Sequence, residues 1–161
     1  MLRGDERGFS LVEVIIALGL LAGVLITISG LFVVGAKQVK SGRTSSEALA
    51  VAKEIQENMY GWGYSQLWGT FGYDGQAATY TVDTRSCAPC GVWQATLATK
   101  LGPSAYANVR LDSVANAIGA VNNFADASGA ILAKAVRTSV TVFWAESPGR
   151  ERSVTLGTTR N

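Results

Sequence analysis

The sequence predicts an α+β protein in which a long N-terminal helix, apolar in its first half, packs on a small antiparallel sheet. Two observations predict this class. The twenty-three residues of 14–36 carry no charge, and they lead into a helical pattern with no proline before Pro89. The C-terminal part alternates apolar and polar residues in two runs that are separated by a turn sequence. Helices and antiparallel strands that occupy separate parts of a chain are typical of α+β domains.

The uncharged run at residues 14–36 is long enough to cross a membrane. At 1.5 Å per residue it forms about 34 Å of helix, and a hydrocarbon core is about 30 Å thick. A cleaved secretory signal has an apolar centre of only about 7–15 residues, followed by a small-residue cleavage site. We therefore predict a retained transmembrane helix. Lysines and arginines lie on both sides of the run, so charge counting does not set its orientation.

The same helix is predicted to continue into the soluble part of the chain. Ala48, Ala52, Ile55 and Met59 recur every three or four residues, which places them on one helix face. The charged residues between them fall mostly on the other side. We expect one helix over roughly residues 10–59, with its second half packed on the soluble domain.

Residues 60–77 combine five glycines with a series of aromatic residues, and this composition predicts a long loop. We interpret the rings as filling the space between helix and sheet. The alternative is an exposed adhesive platform, because aromatic clusters also form binding hot spots. The rings in question are Trp62, Tyr64, Trp68, Phe71 and Tyr73.

The remaining patterns predict a small sheet. Residues 78–84 and 108–114 are typical of short strands, while residues 92–102 favour a short helix although they also fit a period of two. The clearest signal is a strand–turn–strand hairpin over residues 136–159. One parity of its first run is apolar: Val136, Val140, Val142 and Trp144.

Composition excludes several classes of function. The chain has 161 residues, enough for one membrane segment and one modest domain. Its formal net charge is +2 and the charges are scattered, so no basic stripe for nucleic acid is present. It contains no histidine, which removes the commonest general base and most zinc sites. We therefore expect a protein that is not an enzyme and that holds no cofactor and no metal.

The stretch RGFSLVEVIIALGLLAGVLI, beginning at Arg7, resembles the class III signal of type IV prepilins and pseudopilins. That signal is a short charged leader ending in Gly, then Phe or Met, a Glu four residues later, and an uninterrupted apolar helix. The matching positions are Gly8, Phe9 and Glu13. The resemblance implies a type IV pilin fold and a leader, residues 1–8, that a membrane aspartyl peptidase removes between Gly8 and Phe9. It also implies that the new terminal amine is methylated, so that Phe9 becomes N-methylphenylalanine.

The resemblance also sets the orientation and the domains. The leader would be cytoplasmic, residues 9–36 would form the transmembrane and assembly helix, and residues 37–161 would form a periplasmic or extracellular head. In the family, the glutamate at the position of Glu13 neutralises the terminal amine of an adjacent subunit as helices bundle in a filament. A charge in hydrocarbon costs about 2.5–3.5 kcal/mol on insertion scales, and pairing offsets this cost. The alternative is a carboxylate that merely reaches water at the interface.

The C-terminal stretch VTVFWAESPGRERSVTLGTT resembles the closing hairpin of PilV-type minor pilins and of I-type minor pseudopilins. The likeness implies a minor pilin that is inserted in the inner membrane and then assembled at a pilus tip. Its partners would be the prepilin peptidase, the inner-membrane assembly platform, other minor pilins in a complex that primes assembly, and the major pilin.

Two other functions remain open. One is a minor pseudopilin of type II secretion; such proteins often bind calcium, but the aspartates here are widely separated. The other is a binding module whose aromatic residues, or Arg150 and Arg152, contact a host surface or incoming DNA. Nucleic acid would then be contacted through the assembled pilus.

Cys87 and Cys90 form a Cys-x-x-Cys sequence. A zinc site would need two further ligands, which neither Cys nor His supplies, and a thioredoxin-type centre needs a βαβ unit. Outside the cytoplasm an oxidised pair is the default, so we predict a disulfide, with free thiols and a catalytic pair as the alternatives. A bridge that closes so short a loop should act as a local clasp and contribute modestly to stability.

Overall fold

The computed structural model describes residues 10–114, 123–125, 128 and 132–160. The chain divides into two compact units, Met1–Gly42 and Arg43–Asn161. In chain order the elements are α1 (Leu11–Tyr60), α2 (Tyr64–Gly69), β1 (Thr79–Asp83), a 3₁₀ turn (Ala88–Cys90), α3 (Gly91–Leu101), β2 (Tyr106–Val114), β3 (Ala135–Ser147) and β4 (Arg150–Arg160).

Helix α1 is continuous over fifty residues, close to the bounds that the sequence predicts. The Ser10 carbonyl accepts hydrogen bonds from the N–H groups of Glu13 and Val14 at its start. Gly30 and Gly35 do not interrupt it, although each costs about 1 kcal/mol relative to alanine. The absence of proline from this stretch leaves every backbone N–H available to the helix.

The second half of α1 buries one face in the core of Arg43–Asn161. The predicted face is confirmed, since its four residues are buried, and Val51 completes it. On the exposed side, ion pairs of i,i+4 spacing connect Arg43 with Glu47 and Lys53 with Glu57. Exposed pairs of this kind add little stability, so the buried face, and not the charged one, holds the helix in place.

The strands form one antiparallel sheet in the order β1-β2-β3-β4. The predicted strands and the C-terminal hairpin are confirmed. The hairpin turn contains Gly149 at φ +80°, a conformation that glycine adopts without steric cost. One face of the sheet is buried, and it includes the parity of β3 that the sequence predicts. The other face carries mostly hydroxyl and charged side chains, together with the stacked rings of Tyr106 and Phe143, as expected when only one side of a sheet meets a core.

The prediction of a loop over all of residues 60–77 is wrong in part, because α2 lies within it. Gly63 precedes the first helical residue, and its N–H donates to the Gln66 side chain at 2.8 Å. Leu67 and Trp68 are buried in the core. Tertiary burial of these two side chains therefore stabilises a helical turn in a stretch whose glycine content favours a loop.

Helix α3 confirms the short helix predicted over residues 92–102 and resolves the ambiguity of its spacing. Trp93 and Leu97 are buried on one face. Gly102 follows at φ +104°, and Pro103 cannot extend the helix because it lacks an N–H. The helical period, and not the period of two, decides which side chains enter the core.

The core of Arg43–Asn161 combines the buried faces of α1, α3 and the sheet in one cluster. Two polar contacts add to it between residues about one hundred positions apart. The Gln56 side-chain amide donates to the Leu156 carbonyl of β4 at 2.9 Å. The Arg160 guanidinium donates to the carbonyls of Tyr60 and Trp62 at the C-terminal end of α1. The predicted arrangement of a long helix packed on a small antiparallel sheet is confirmed.

Candidate functional site

The apolar part of α1 is exposed along its whole described length. Every residue from Ser10 to Lys40 is exposed, and large side chains such as Leu11, Phe32 and Val39 expose about three-quarters of their surface. Soluble monomers rarely expose apolar patches larger than a few hundred Å². By length and composition the helix is a candidate membrane span, although an N-terminal signal sequence also meets these two criteria. This exposed apolar surface is compatible with membrane anchoring.

Two hydroxyl groups within the apolar segment are satisfied by the helix itself. Thr27 Oγ1 donates to the Gly23 carbonyl at 2.9 Å, and Ser29 Oγ donates to the Leu25 carbonyl at 2.8 Å. A hydroxyl without a partner would be costly in hydrocarbon, whereas one bonded to the carbonyl four residues earlier needs no water. These two side chains are therefore compatible with an apolar environment.

Glu13 lies in the first turn of α1 and its side chain is exposed. A carboxylate at this position interacts favourably with the partial positive charge of a helix N-terminus. Glu13 is the single charged residue between Leu11 and Ala36. The predicted cleavage and methylation positions, Gly8 and Phe9, lie outside the described residues.

Cys87 and Cys90 are joined by a disulfide, with 5.2 Å between their Cα atoms. The bridge spans the 3₁₀ turn that leads into α3, and the Cys90 N–H donates to the Cys87 carbonyl. Cys90 is fully buried, while Cys87 lies partly at the surface. The bridge therefore fixes the entry to α3, from which Trp93 enters the core.

Replacing Cys87 with serine is expected to lower the free energy of unfolding by about 1–2 kcal/mol, because the closed loop is short. Urea unfolding of the full chain in detergent, followed by tryptophan fluorescence, measures the change. Wild-type protein under reducing conditions is the control and should lose a similar amount. A loss above about 4 kcal/mol would contradict the interpretation of the bridge as a local clasp.

Four of the five predicted rings, those of Trp62, Trp68, Phe71 and Tyr73, lie in the core or pack against it. The side chain of Tyr64 is outside the part of the chain that the structure describes. The Trp68 ring is buried against Phe124, with centroids 5.3 Å apart. The Trp62 ring stacks at 6.0 Å on Trp93 of α3. Tyr73, whose pKa is raised mainly by burial, stacks on Tyr80 of β1. These contacts favour the interpretation that the rings fill the space between helix and sheet.

A charged cluster covers the exposed side of the sheet beside β1. The Arg85 guanidinium binds the Asp83 carboxylate at 2.5 Å and lies 3.6 Å above the centre of the Tyr106 ring. The hydrogen bond from Arg85 lowers the pKa of Asp83, and burial, followed by the charge of Glu151, raises the pKa of Tyr106. Because the Asp83 pKa is lowered in the folded state, its stabilising contribution is present above the ordinary pKa of 3.8 and is lost as the pH falls through the lowered value.

The two arginines that a binding module would use share one carboxylate. Arg150 and Arg152 lie 3.1 Å and 3.0 Å from the same Glu146 oxygen atom. This arrangement partly neutralises the tip of the hairpin. It does not produce the dense basic surface on which binding to phosphates depends.

A cavity of about 540 Å³ lies beside β1, between residues 70–72 and residues 86–89. Its walls include Phe71, Tyr80 and the Cys87 end of the disulfide. Among its lining residues the one ionisable carboxylate is that of Asp83, which Arg85 binds. Within the part of the chain that the structure describes, no three His, Cys, Asp or Glu residues are grouped closely enough to hold a metal ion.

Sequence reasoning missed the polar residues that connect α1 to the sheet. Gln56 and Arg160 have no distinctive local pattern, since each acts on a carbonyl about one hundred residues away. Thr27 and Ser29 could have been found, because hydroxyl residues inside an apolar helix characteristically bond to the carbonyl four residues earlier.

Comparisons with known protein families, with curated proteins and with solved structures found no match to this chain.

Proposed function

We propose that this chain is a minor type IV pilin of the PilV type, which joins other minor pilins in a tip complex that primes pilus assembly. The observation that carries the proposal is the exposed apolar segment of α1 with a lone carboxylate, Glu13, in its first turn. Such a helix needs two successive environments. Lipid covers it in the inner membrane, and the helices of neighbouring subunits cover it in a filament.

The lone carboxylate supplies specificity in this proposal. In a bundle of apolar helices it needs a cationic partner, because an unpaired buried charge is strongly destabilising. The amine of a neighbouring subunit, created by removal of residues 1–8, is such a cation. Glu13 would then favour both entry into the filament and one register of the helices.

The architecture supports the same proposal. A long helix whose second half packs on a four-stranded antiparallel sheet is consistent with the type IV pilin fold. The head, residues 37–161, would lie outside the inner membrane, where a disulfide such as Cys87–Cys90 persists. The partners would be the prepilin peptidase, the assembly platform, other minor pilins and the major pilin. The filament would be a pilus and not the pseudopilus of type II secretion.

Glu13→Val protein is expected to remain stable in the membrane but to be depleted about tenfold or more from sheared filaments and from co-purified minor pilins, because the partner cation is left unpaired. Folding of the head should not change, since Glu13 lies outside the core. Immunoblots of membrane, filament and co-purified fractions measure the distribution.

Two further variants sharpen this test. Glu13→Gln keeps the shape and hydrogen bonding of the side chain and removes only the charge, so it should be depleted like Glu13→Val. Thr27→Val changes a residue of the same segment whose hydroxyl binds its own helix, and it should be recovered like wild type. Equal recovery of all variants would show that Glu13 is an interfacial carboxylate without a partner. Absence of the wild-type chain from pili would overturn the pilus assignment.

A further inference from the structure

The outer edge of β4 is long and open. β4 has eleven residues and is the last strand in the sheet order, so among the described residues only β3 pairs with it. From Ser153 onward, alternate residues of β4 are exposed: Ser153, Thr155, Gly157 and Thr159. An edge strand offers unpaired N–H and C=O groups with which another strand can pair.

The register of the sheet shows which groups are open. The Thr84 N–H donates to the Ala107 carbonyl, which places the even residues of β1 in hydrogen bonds with β2. In an antiparallel ladder, the backbone N–H and C=O groups of successive residues point to opposite sides of the strand. The register therefore directs these groups of the even residues of β4 towards β3 and those of the odd residues outward. In the part of the chain that the structure describes, the outward backbone groups of Ser153, Thr155, Gly157 and Thr159 make no hydrogen bond.

The middle of this edge lacks the usual protection against pairing. Native proteins protect edges with lysine, proline, bulges or short strands. Residues 153–159 contain no charge and no proline, and the irregularity of the β3–β4 pairing lies at Ala145 and Ser147, away from them. Val154 and Leu156 are only half-buried beside the edge. The opposite edge, β1, has five residues, and its Asp83 carbonyl already accepts from Ser86.

The charged residues near this edge indicate which kind of strand can pair with β4. Two copies of β4 paired antiparallel about Thr155 or Leu156 would place Arg160 of one copy opposite Arg150 or Arg152 of the other. Like charges directly opposite each other destabilise a strand pair, which disfavours a second copy in these two registers. Arg137, opposite Thr159 in the sheet, is exposed and makes no ion pair with any described residue. Its cross-strand neighbour Asp112 is bound by Arg110 at 2.9 Å.

We propose that β4 is the docking edge for an extended segment of a different polypeptide, which adds as a fifth strand. The segment is uncharged where it pairs with residues 153–159 of β4, and it carries an acidic residue at the end that lies near Arg137. Main-chain hydrogen bonds would provide affinity, and the added strand would cover the half-buried Val154 and Leu156. None of these observations involves the apolar part of α1, so the inference does not rest on the proposed function.

The test uses the full chain in detergent and a synthetic probe. The probe is a fluorescent peptide of seven alternating threonine and valine residues with two glutamates at one end; a second peptide carries two lysines there instead. Fluorescence polarisation should show binding of the glutamate peptide about tenfold tighter than that of the lysine peptide. Arg137→Ala should remove this preference. Amide exchange should slow at Thr155 and Gly157 when the glutamate peptide is added, but not at Thr81.

Proline variants test the edge itself. Thr155→Pro removes an outward N–H without removing a hydrogen bond to β3, and it should weaken binding of the glutamate peptide about tenfold or more. Thr81→Pro makes the same change on the edge of β1 and should bind like wild type. Absence of binding, equal binding of the two peptides, or slowed exchange outside β4 would each overturn the proposal. Concentration-dependent dimerisation that Thr155→Pro abolishes would also overturn it, because the occupant would then be a second copy.

Discussion

Gly8→Glu protein is expected to keep residues 1–8, so that its intact mass corresponds to a chain beginning at Met1 with no methyl group. In the proposed prepilin, the peptidase must bring the bond between Gly8 and Phe9 into its active site. A bulky anion in place of Gly8 obstructs that approach and introduces a charge at the edge of the membrane, where charges are costly. Wild-type protein should begin at methylated Phe9. Mass spectrometry of membrane-extracted protein from a host with active prepilin peptidase measures both.

Gly4→Glu is the matched control for this experiment. It makes the same chemical change within the leader, four residues from the predicted junction, and should be processed like wild type. Wild-type protein that begins at Met1 in such a host would contradict the prepilin assignment. Processing of Gly8→Glu at the wild-type rate would show that Gly8 is not the residue before the cleaved bond.

Trp93→Ala is expected to cost the head about 3–5 kcal/mol of unfolding free energy. Trp93 is only 7% exposed, and its ring lies 6.0 Å from that of Trp62 and 6.2 Å from that of Phe71. Truncation leaves a cavity and removes the ring that connects α3 to residues 60–77. The free energy of unfolding of a native protein is about 5–15 kcal/mol, so this loss is a large share of the total. Urea unfolding of the full chain in detergent, followed by circular dichroism, measures it.

Val92→Ala provides the control on the same helix. Val92 is 75% exposed, so its truncation should change the free energy of unfolding by less than about 0.5 kcal/mol. If Trp93→Ala costs as little as Val92→Ala, the aromatic residues form a surface platform, as in the alternative interpretation of residues 60–77. A large difference between the two variants places the rings in the core.

The helices and strands whose apolar residues recur with one clear spacing were predictable from the sequence. Residues 48–59 keep a helical spacing of apolar residues, and residues 136–144 keep a spacing of two, so each pattern indicates which face is buried. The apolar run at 14–36 is also evident, because no competing pattern produces so long an uncharged stretch.

Features that depend on distant contacts were not predictable. Helix α2 forms where glycines favour a loop, because burial of Leu67 and Trp68 stabilises the helix by more than the low helix propensity of the glycines destabilises it. The contact of Gln56 with β4 depends on the register of the whole sheet. The proposed role of Glu13 depends on a neighbouring subunit, so the geometry of one chain does not determine it.

The order of the strands has a consequence for how the head folds. Because strand order follows chain order, each strand can pair with its predecessor as soon as both exist, by closing a comparatively short loop. Docking of α1 is different, since Gln56 and Leu156 are separated by 100 positions and the entropy of closing that larger loop must be overcome. We therefore expect the sheet to assemble first and the helix to dock late. Until then the apolar face around Val51 and Ile55 stays uncovered, and in this interval the chain is most prone to aggregate.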